Sequence, residues 1–206
     1  MNIEAIMRTA PVIPVLVIED VAHAGPIAEA LVAGGLRVLE VTLRTPVALD
    51  VIAEMAKVEG AIVGAGTVLN GTDLDASLNA GAQFIVSPGL TDPLARAAIA
   101  SGIPFLPGTA NASDLMRGLD LGLNRFKFFP ATAAGGIPAL RALAAPFGQI
   151  RFCPTGGINQ ASAQNWLSME CVLCVGGSWM INAGSPDYEA IREAAVEAAK
   201  LLPLNE

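Results

Sequence analysis

The sequence predicts a single-domain (β/α)8 barrel spanning residues 1–206, with a short helix ahead of the first strand, and three observations carry that expectation. Eight short β-rich runs recur, each followed by an alanine-rich helical stretch with polar punctuation, the pattern of a parallel α/β fold. The 206 residues, 53% hydrophobic and 15% charged, suffice for one sizeable core. The rival open, doubly wound sheet usually carries a G-x-G-x-x-G turn after its first strand, and Glu19-Asp20 stands there instead.

The elements follow in order. A helical segment, Ile3 to Arg8, precedes the first run, Val12 to Ile18, and helix Ala22 to Val32 stops at Gly34-Gly35. The second run, Val38 to Arg44, alternates strictly, with Glu40, Thr42 and Arg44 on one face and Leu39, Val41 and Leu43 on the other. Helix Pro46 to Lys57 opens with proline in its first turn. Run three, Ala61 to Thr67, leads to helix Thr72 to Ala80, with Thr72 or Asp73 as the expected cap. Run four, Phe84 to Gly89, precedes a helix capped near Thr91 and ending at Ser101. Pro104 to Thr109 and a helix from Ala112 to Leu121 come next, then strand Arg125 to Phe129, helix Pro138 to Phe147 and strand Ile150 to Thr155. Helix Ala161 to Leu167, the eighth run at Val172 to Val175 and a last helix from Tyr188 to Leu201 complete the series.

Composition excludes several functions. A net charge of -7, a pI near 4.7 and the lack of any basic run argue against nucleic-acid or anionic-membrane partners. Residues Met1 to Ala5 lack the regions of a secretory signal, and every apolar run is broken well before membrane-spanning length, so a cytoplasmic protein is expected. Cys153, Cys171 and Cys174 are an odd number in a chain whose start shows no export signal, which argues against a disulfide framework. The Cys171-x-x-Cys174 spacing resembles a redox or zinc motif, yet positions three apart on a strand face opposite sides, and all three cysteines read as core residues. His23 is the sole histidine, which leaves no multi-histidine zinc site and no Ser-His pair.

The reactive candidate is Lys127, set among aromatics in Arg125-Phe126-Lys127-Phe128-Phe129-Pro130. Alternation puts Lys127 and Phe129 on one side of the strand and Phe126 and Phe128 on the other. The other two lysines, Lys57 and Lys200, sit late in amphipathic helices where solvent is the natural destination. An apolar setting penalises the ammonium form, and the free amine is the nucleophile of Schiff-base chemistry. In such a barrel the site lies at the C-terminal strand ends, where Glu40, Arg44, Thr67, Lys127 and Thr155 fall. A buried Lys127–Glu40 ion pair without chemistry is the bland alternative. Thr155-Gly156-Gly157 and Gly176-Gly177-Ser178 end the last two strands, where barrels commonly cradle phosphate on bare backbone N–H groups.

The motifs VLE40VTLR44T, VGAGT67VL, FIVSP88G, FK127FFP, RFCPT155GG and VGGS178W resemble, in order and at matching spacing from Pro11 to Trp179, the 2-keto-3-deoxy-6-phosphogluconate aldolases, class I Schiff-base enzymes that also include 4-hydroxy-2-oxoglutarate aldolases. The resemblance implies Lys127 as the Schiff-base lysine, Glu40 as the general acid/base, and Arg44 and Thr67 as binders of the pyruvyl carboxylate. It implies Thr155 as a guide to stereochemistry, and Gly156, Gly157, Gly176, Gly177 and Ser178 as a phosphate pocket walled by Pro88 and Phe129. Thr132 departs from the acid that many relatives carry after the Phe-Phe-Pro-Ala run, which bears on that loop.

The implied substrate is a phosphorylated 2-keto acid, 2-dehydro-3-deoxy-6-phosphogluconate, cleaved to pyruvate and glyceraldehyde 3-phosphate. Activity on 4-hydroxy-2-oxoglutarate, giving glyoxylate and pyruvate, is implied alongside, as is a homotrimer. No cofactor or metal is called for, because an iminium is itself the electron sink. The alternatives are the galactonate-series epimer as substrate, a metal-dependent aldolase or sugar-phosphate epimerase on the same fold, and a phospho-sugar-binding barrel without catalysis.

Overall fold

The computed structural model describes residues 1–181 and 186–201. Helix α1 (Ile3–Met7) is capped by Asn2, whose side chain accepts from the Ala5 N–H, and it leads into β1 (Val12–Leu16). A 3-10 turn, Val21–His23, opens α2 (Ala24–Ala33), which gives way at Gly35, where φ is 95°. The strand β2 (Val38–Thr42) is buried along its whole length. Then follow α3 (Ala48–Met55), β3 (Ile62–Gly66), α4 (Gly71–Asn79), β4 (Phe84–Val86) and α5 (Asp92–Ser101). Asn70 caps α4, accepting from the Asp73 N–H, so the cap lies two or three residues before the expected Thr72 or Asp73. An asparagine in extended conformation satisfies the first-turn donors just as well.

The fifth β-run is divided. β5 (Phe105–Leu106) pairs with β4, whereas β6 (Gly108–Thr109) pairs with β7 (Arg125–Phe128). Pro107 stands between them without an N–H to donate, and its carbonyl accepts from Lys127 N at 2.9 Å. The helix α6 (Ala112–Asp120) separates β6 from β7, and α7 (Gly136–Ala144), β8 (Arg151–Pro154) and α8 (Gln160–Leu167) follow. β9 (Val175–Gly177) starts three residues later than the sequence suggests, and α9 (Tyr188–Ala199) is the last helix among the described residues.

All strand pairings are parallel, in a six-stranded order β5-β4-β3-β2-β1-β9 and a three-stranded order β6-β7-β8. The two sheets meet at Pro107 on one side and, on the other, through parallel bridges joining Phe152 to Val172 and Thr155 to Gly176. The curled sheet therefore has an outer face under the helices and an inner face. Outward residues such as Leu39, Val41, Ile85, Phe126, Phe128 and Phe152 form the larger core with the helices. Inward residues, Ile13, Val38, Phe84, Val86, Leu106 and Leu173 among them, form a second cluster that Ile6 and Met7 of α1 complete. Both α1 side chains are essentially fully buried, which stabilises the fold by about 1.5–3 kcal/mol each. Cys153 and Cys174 are buried as expected, whereas Cys171 is only half-buried because it sits in the turn before the last strand rather than on it.

Candidate active site

Lys127 and Glu40 meet on the inner face of the sheet. Strand register explains the encounter: Glu40 is paired laterally with Val15 and Gly64, and Lys127 with Gly108 and Cys153, all inward positions near the C-terminal strand ends. Lys127 Nζ donates to Glu40 Oε1 at 2.9 Å, and their side chains are 6% and 4% exposed. Nζ also lies 5.3 Å from the centre of the Phe129 ring, a favourable contact between a cation and a π face. Water is therefore almost excluded from an amine and a carboxylate 87 residues apart in sequence.

Small residues make room for this pair. A Cβ on Gly66 would lie 2.4 Å from Glu40 Oε1, and one on Gly64 would strike the Phe84 ring at 2.4 Å. The phenyl ring thus fills the space beside Glu40, and the carboxylate rests on bare Gly66 backbone. These two glycines carry no functional signature in the sequence beyond their place in the motif; the register of β2 against β3 identifies them. Gly108 performs a similar service, since its Cβ would collide with the Pro88 carbonyl oxygen at 2.1 Å.

The remaining predicted residues lie at or just beyond the C-terminal ends of the strands. Thr67 follows β3 with φ of 61°, the left-handed region that a β-branched residue enters only under constraint. Arg44 lies just beyond β2, exposed and without an ionic partner among the described residues. Thr155 is buried, and Gly176 approaches it so closely that a Cβ there would sit 2.3 Å from Thr155 Oγ1. Gly156 and Gly157 have φ of 105° and 77°, so both need glycine's freedom. Gly177 is covered by the Trp179 ring, Ser178 is exposed, and Pro88 and Phe129 are half-buried.

Thr132 also finds a place. Its N–H donates to the Gly156 carbonyl at 3.0 Å, and its side chain packs over Gly157, where a Cβ would fall 2.6 Å from Thr132 Oγ1. The loop after β7 is thereby fastened to the Gly-Gly turn after β8. A neutral threonine there leaves the turn's N–H groups without a competing negative charge, which suits an anion cradle.

Residues 3–194 match the family model described as KDPG and KHG aldolase. The chain belongs to that family. A 2-dehydro-3-deoxy-phosphogluconate aldolase of Zymomonas mobilis is 60% identical over 198 residues, covering 96% of this chain and 95% of the relative. The KHG/KDPG aldolase of Escherichia coli K12 is 55% identical over 205 residues, with 96% of each chain covered. Among solved structures, the KDPG aldolase of Legionella pneumophila superposes with a TM-score of 0.94 at 44% identity over 97% of this chain and 99% of that one, and it holds pyruvate captured at low pH as a covalent carbinolamine intermediate.

Proposed function

We propose that the protein is a class I aldolase cleaving 2-dehydro-3-deoxy-6-phosphogluconate to pyruvate and glyceraldehyde 3-phosphate. The observation that carries this reading is the buried 2.9 Å contact between Lys127 Nζ and Glu40 Oε1 at the strand ends. A proton passed along that hydrogen bond leaves a free amine beside a protonated acid, the starting state for attack on a ketone.

Lys127 then adds to the C2 ketone, Glu40 gives its proton to the hydroxyl of the resulting carbinolamine, and loss of water leaves an iminium beside the Glu40 carboxylate. Glu40 takes the proton of the C4 hydroxyl, directly or through a water, and the C3–C4 bond breaks to release the aldehyde. The electron pair of that bond moves into the iminium as an enamine. Glu40 returns a proton to C3, and hydrolysis frees pyruvate and Lys127. Arg44 binds the pyruvyl carboxylate as a planar two-toothed donor, with Thr67 beside it. Gly156, Gly157, Gly176, Gly177 and Ser178 receive the phosphate, Pro88 and Phe129 wall the pocket, and Thr155 contacts the C4 oxygen.

Several finer features belong to the same reading. The two sheets form one eight-stranded barrel, with β5 and β6 as a single strand interrupted at Pro107, and residues 1–206 form one domain. The protein acts in the cytoplasm as a homotrimer, so light scattering should give three times the 21.1 kDa chain mass. It also cleaves 4-hydroxy-2-oxoglutarate, whose C1–C5 skeleton presents the same ketone and C4 hydroxyl. Borohydride reduction in the presence of pyruvate tests the assignment directly: the adduct is expected on Lys127, and an adduct elsewhere, or none, refutes it.

A further inference from the structure

Two thiols lie on the inner face beside the reactive lysine. Cys153 is the lateral partner of Lys127 on β8, and both it and Cys174 belong to the inner cluster. Free cysteines are usually small core fillers. The arrangement here is more specific, because Cys174 reaches the inner face only through an irregularity in strand pairing. From Phe152 on β8 to Thr155 just past its end the chain advances three residues, while the facing segment from Val172 to Gly176 advances four. One extra residue is accommodated, so consecutive residues Leu173 and Cys174 both turn inward. Such bulges re-aim side chains and occur often near active sites.

The Cys153 thiol has a partner of its own. Cys153 Sγ lies 3.8 Å from Thr155 Oγ1. Complete burial, and then the neighbouring Cys153 thiol, push the Cys174 thiol up, so it stays protonated. The Thr155 hydroxyl directs its one proton along a long contact, 3.4 Å, to the Cys153 carbonyl oxygen, which leaves the Cys153 thiol as the donor to Oγ1. A better acceptor can replace that long contact. Close approach of Gly176 on the other side restricts where Oγ1 can move.

We propose that Cys153 is a positioning residue for Thr155. The Cys153 thiol donates to Thr155 Oγ1, and the threonine O–H is left to donate to the oxygen on C4. In the condensation direction that donor orients the aldehyde oxygen, and with it the face attacked by the enamine. The Cys153 thiol therefore biases the C4 configuration of the product. This inference rests on the aldolase reading above.

The test uses the full-length protein, condensing pyruvate with glyceraldehyde 3-phosphate and measuring the ratio of the two C4 epimers formed. Cys153→Ala is expected to keep the borohydride-trapped pyruvate adduct on Lys127 while shifting the epimer ratio about fivefold toward the galactonate series, the effect of one lost hydrogen bond. Cys153→Ser, which keeps a donor at the same position, should stay within about twofold of the wild-type ratio on the same scale. An unchanged ratio in Cys153→Ala, or an equal shift in Cys153→Ser, overturns the proposal and leaves the aldolase intact. A wild-type protein without the adduct overturns the aldolase reading and this inference together. Should Cys153→Ala not fold, Cys153→Val removes the thiol at similar volume; a shifted ratio supports the proposal and an unchanged one refutes it.

Discussion

Arg125 and Lys127 stand two residues apart on the same side of β7, and each meets a carboxylate from a distant part of the chain. Arg125 reaches Glu4 of α1 through Nε and Nη2, and its Nη1 donates to the carbonyls of Asn124 and Gln149. Its donors are well matched, and Glu4 remains a third exposed. Lys127 has three N–H donors and, among the described residues, one hydrogen-bonding partner, Glu40, in a site sealed from water. The difference is instructive. A satisfied, solvent-touched pair fastens the terminal helix to the base of the sheet, whereas an under-satisfied, dry pair retains protons to exchange and donors to offer a substrate.

Removing the amine should have the largest effect. Lys127→Arg keeps a cation opposite Glu40 but cannot form an imine, and turnover is expected to fall by more than about 10^4-fold. Retention of activity in steady-state assays would mean the dry pair is only structural. Glu40→Gln should lower turnover by about 10^2–10^4-fold, and the pyruvate adduct should build up on Lys127 more slowly because the amine has lost its proton acceptor, as read by intact mass after reduction. An adduct formed at the wild-type rate would show that the carboxylate is not needed to free the amine.

Gly66→Ala probes the space around the acid. Its Cβ would intrude to 2.4 Å of Glu40 Oε1, so a melting-curve loss of about 1–3 kcal/mol, typical of overpacking, should accompany reduced turnover. An alanine variant with unchanged rates would indicate that Glu40 relaxes freely and that the bare backbone is incidental.

The smallest effects belong to the other pair. Hydrogen bonds from Arg8 and then Arg125 hold the Glu4 carboxyl below the usual carboxylate range. A depressed pKa in the folded state adds stability that is present above the unfolded value, about 4.3, and is lost as pH falls through the folded one. Glu4→Gln should therefore cost less than about 1 kcal/mol at neutral pH, with activity untouched, and its denaturation midpoint should converge with that of the wild type below pH 4. A constant gap across that range would assign the loss to packing.

Periodicity made most of the fold legible. The alternation at Val38 to Arg44 placed Glu40 inward, and the aromatic setting of Lys127 marked it before any contact was known. Partner exchange at Pro107 was hidden, because a proline within an apolar run reads the same whether the strand continues or changes neighbours. The late start of β9 was hidden for a related reason: Val172 to Val175 has strand composition throughout, and only the unequal advance opposite β8 reveals the extra residue. In the site, residues marked by charge or a glycine pair could be found. The accommodating roles of Gly64, Gly66 and Thr132 depend on who faces them across the sheet, which composition does not encode.

The burial of Ile6 and Met7 at the base has a practical consequence for handling the protein. Met1 is 77% exposed and leads directly into that helix, at the end remote from the carboxyl termini of the strands. A resin, dye or fusion partner attached through a spacer at the amino terminus would leave the reactive mouth turned toward bulk solution. Trimming back to Pro11 to shorten such a linker would instead uncork the underside.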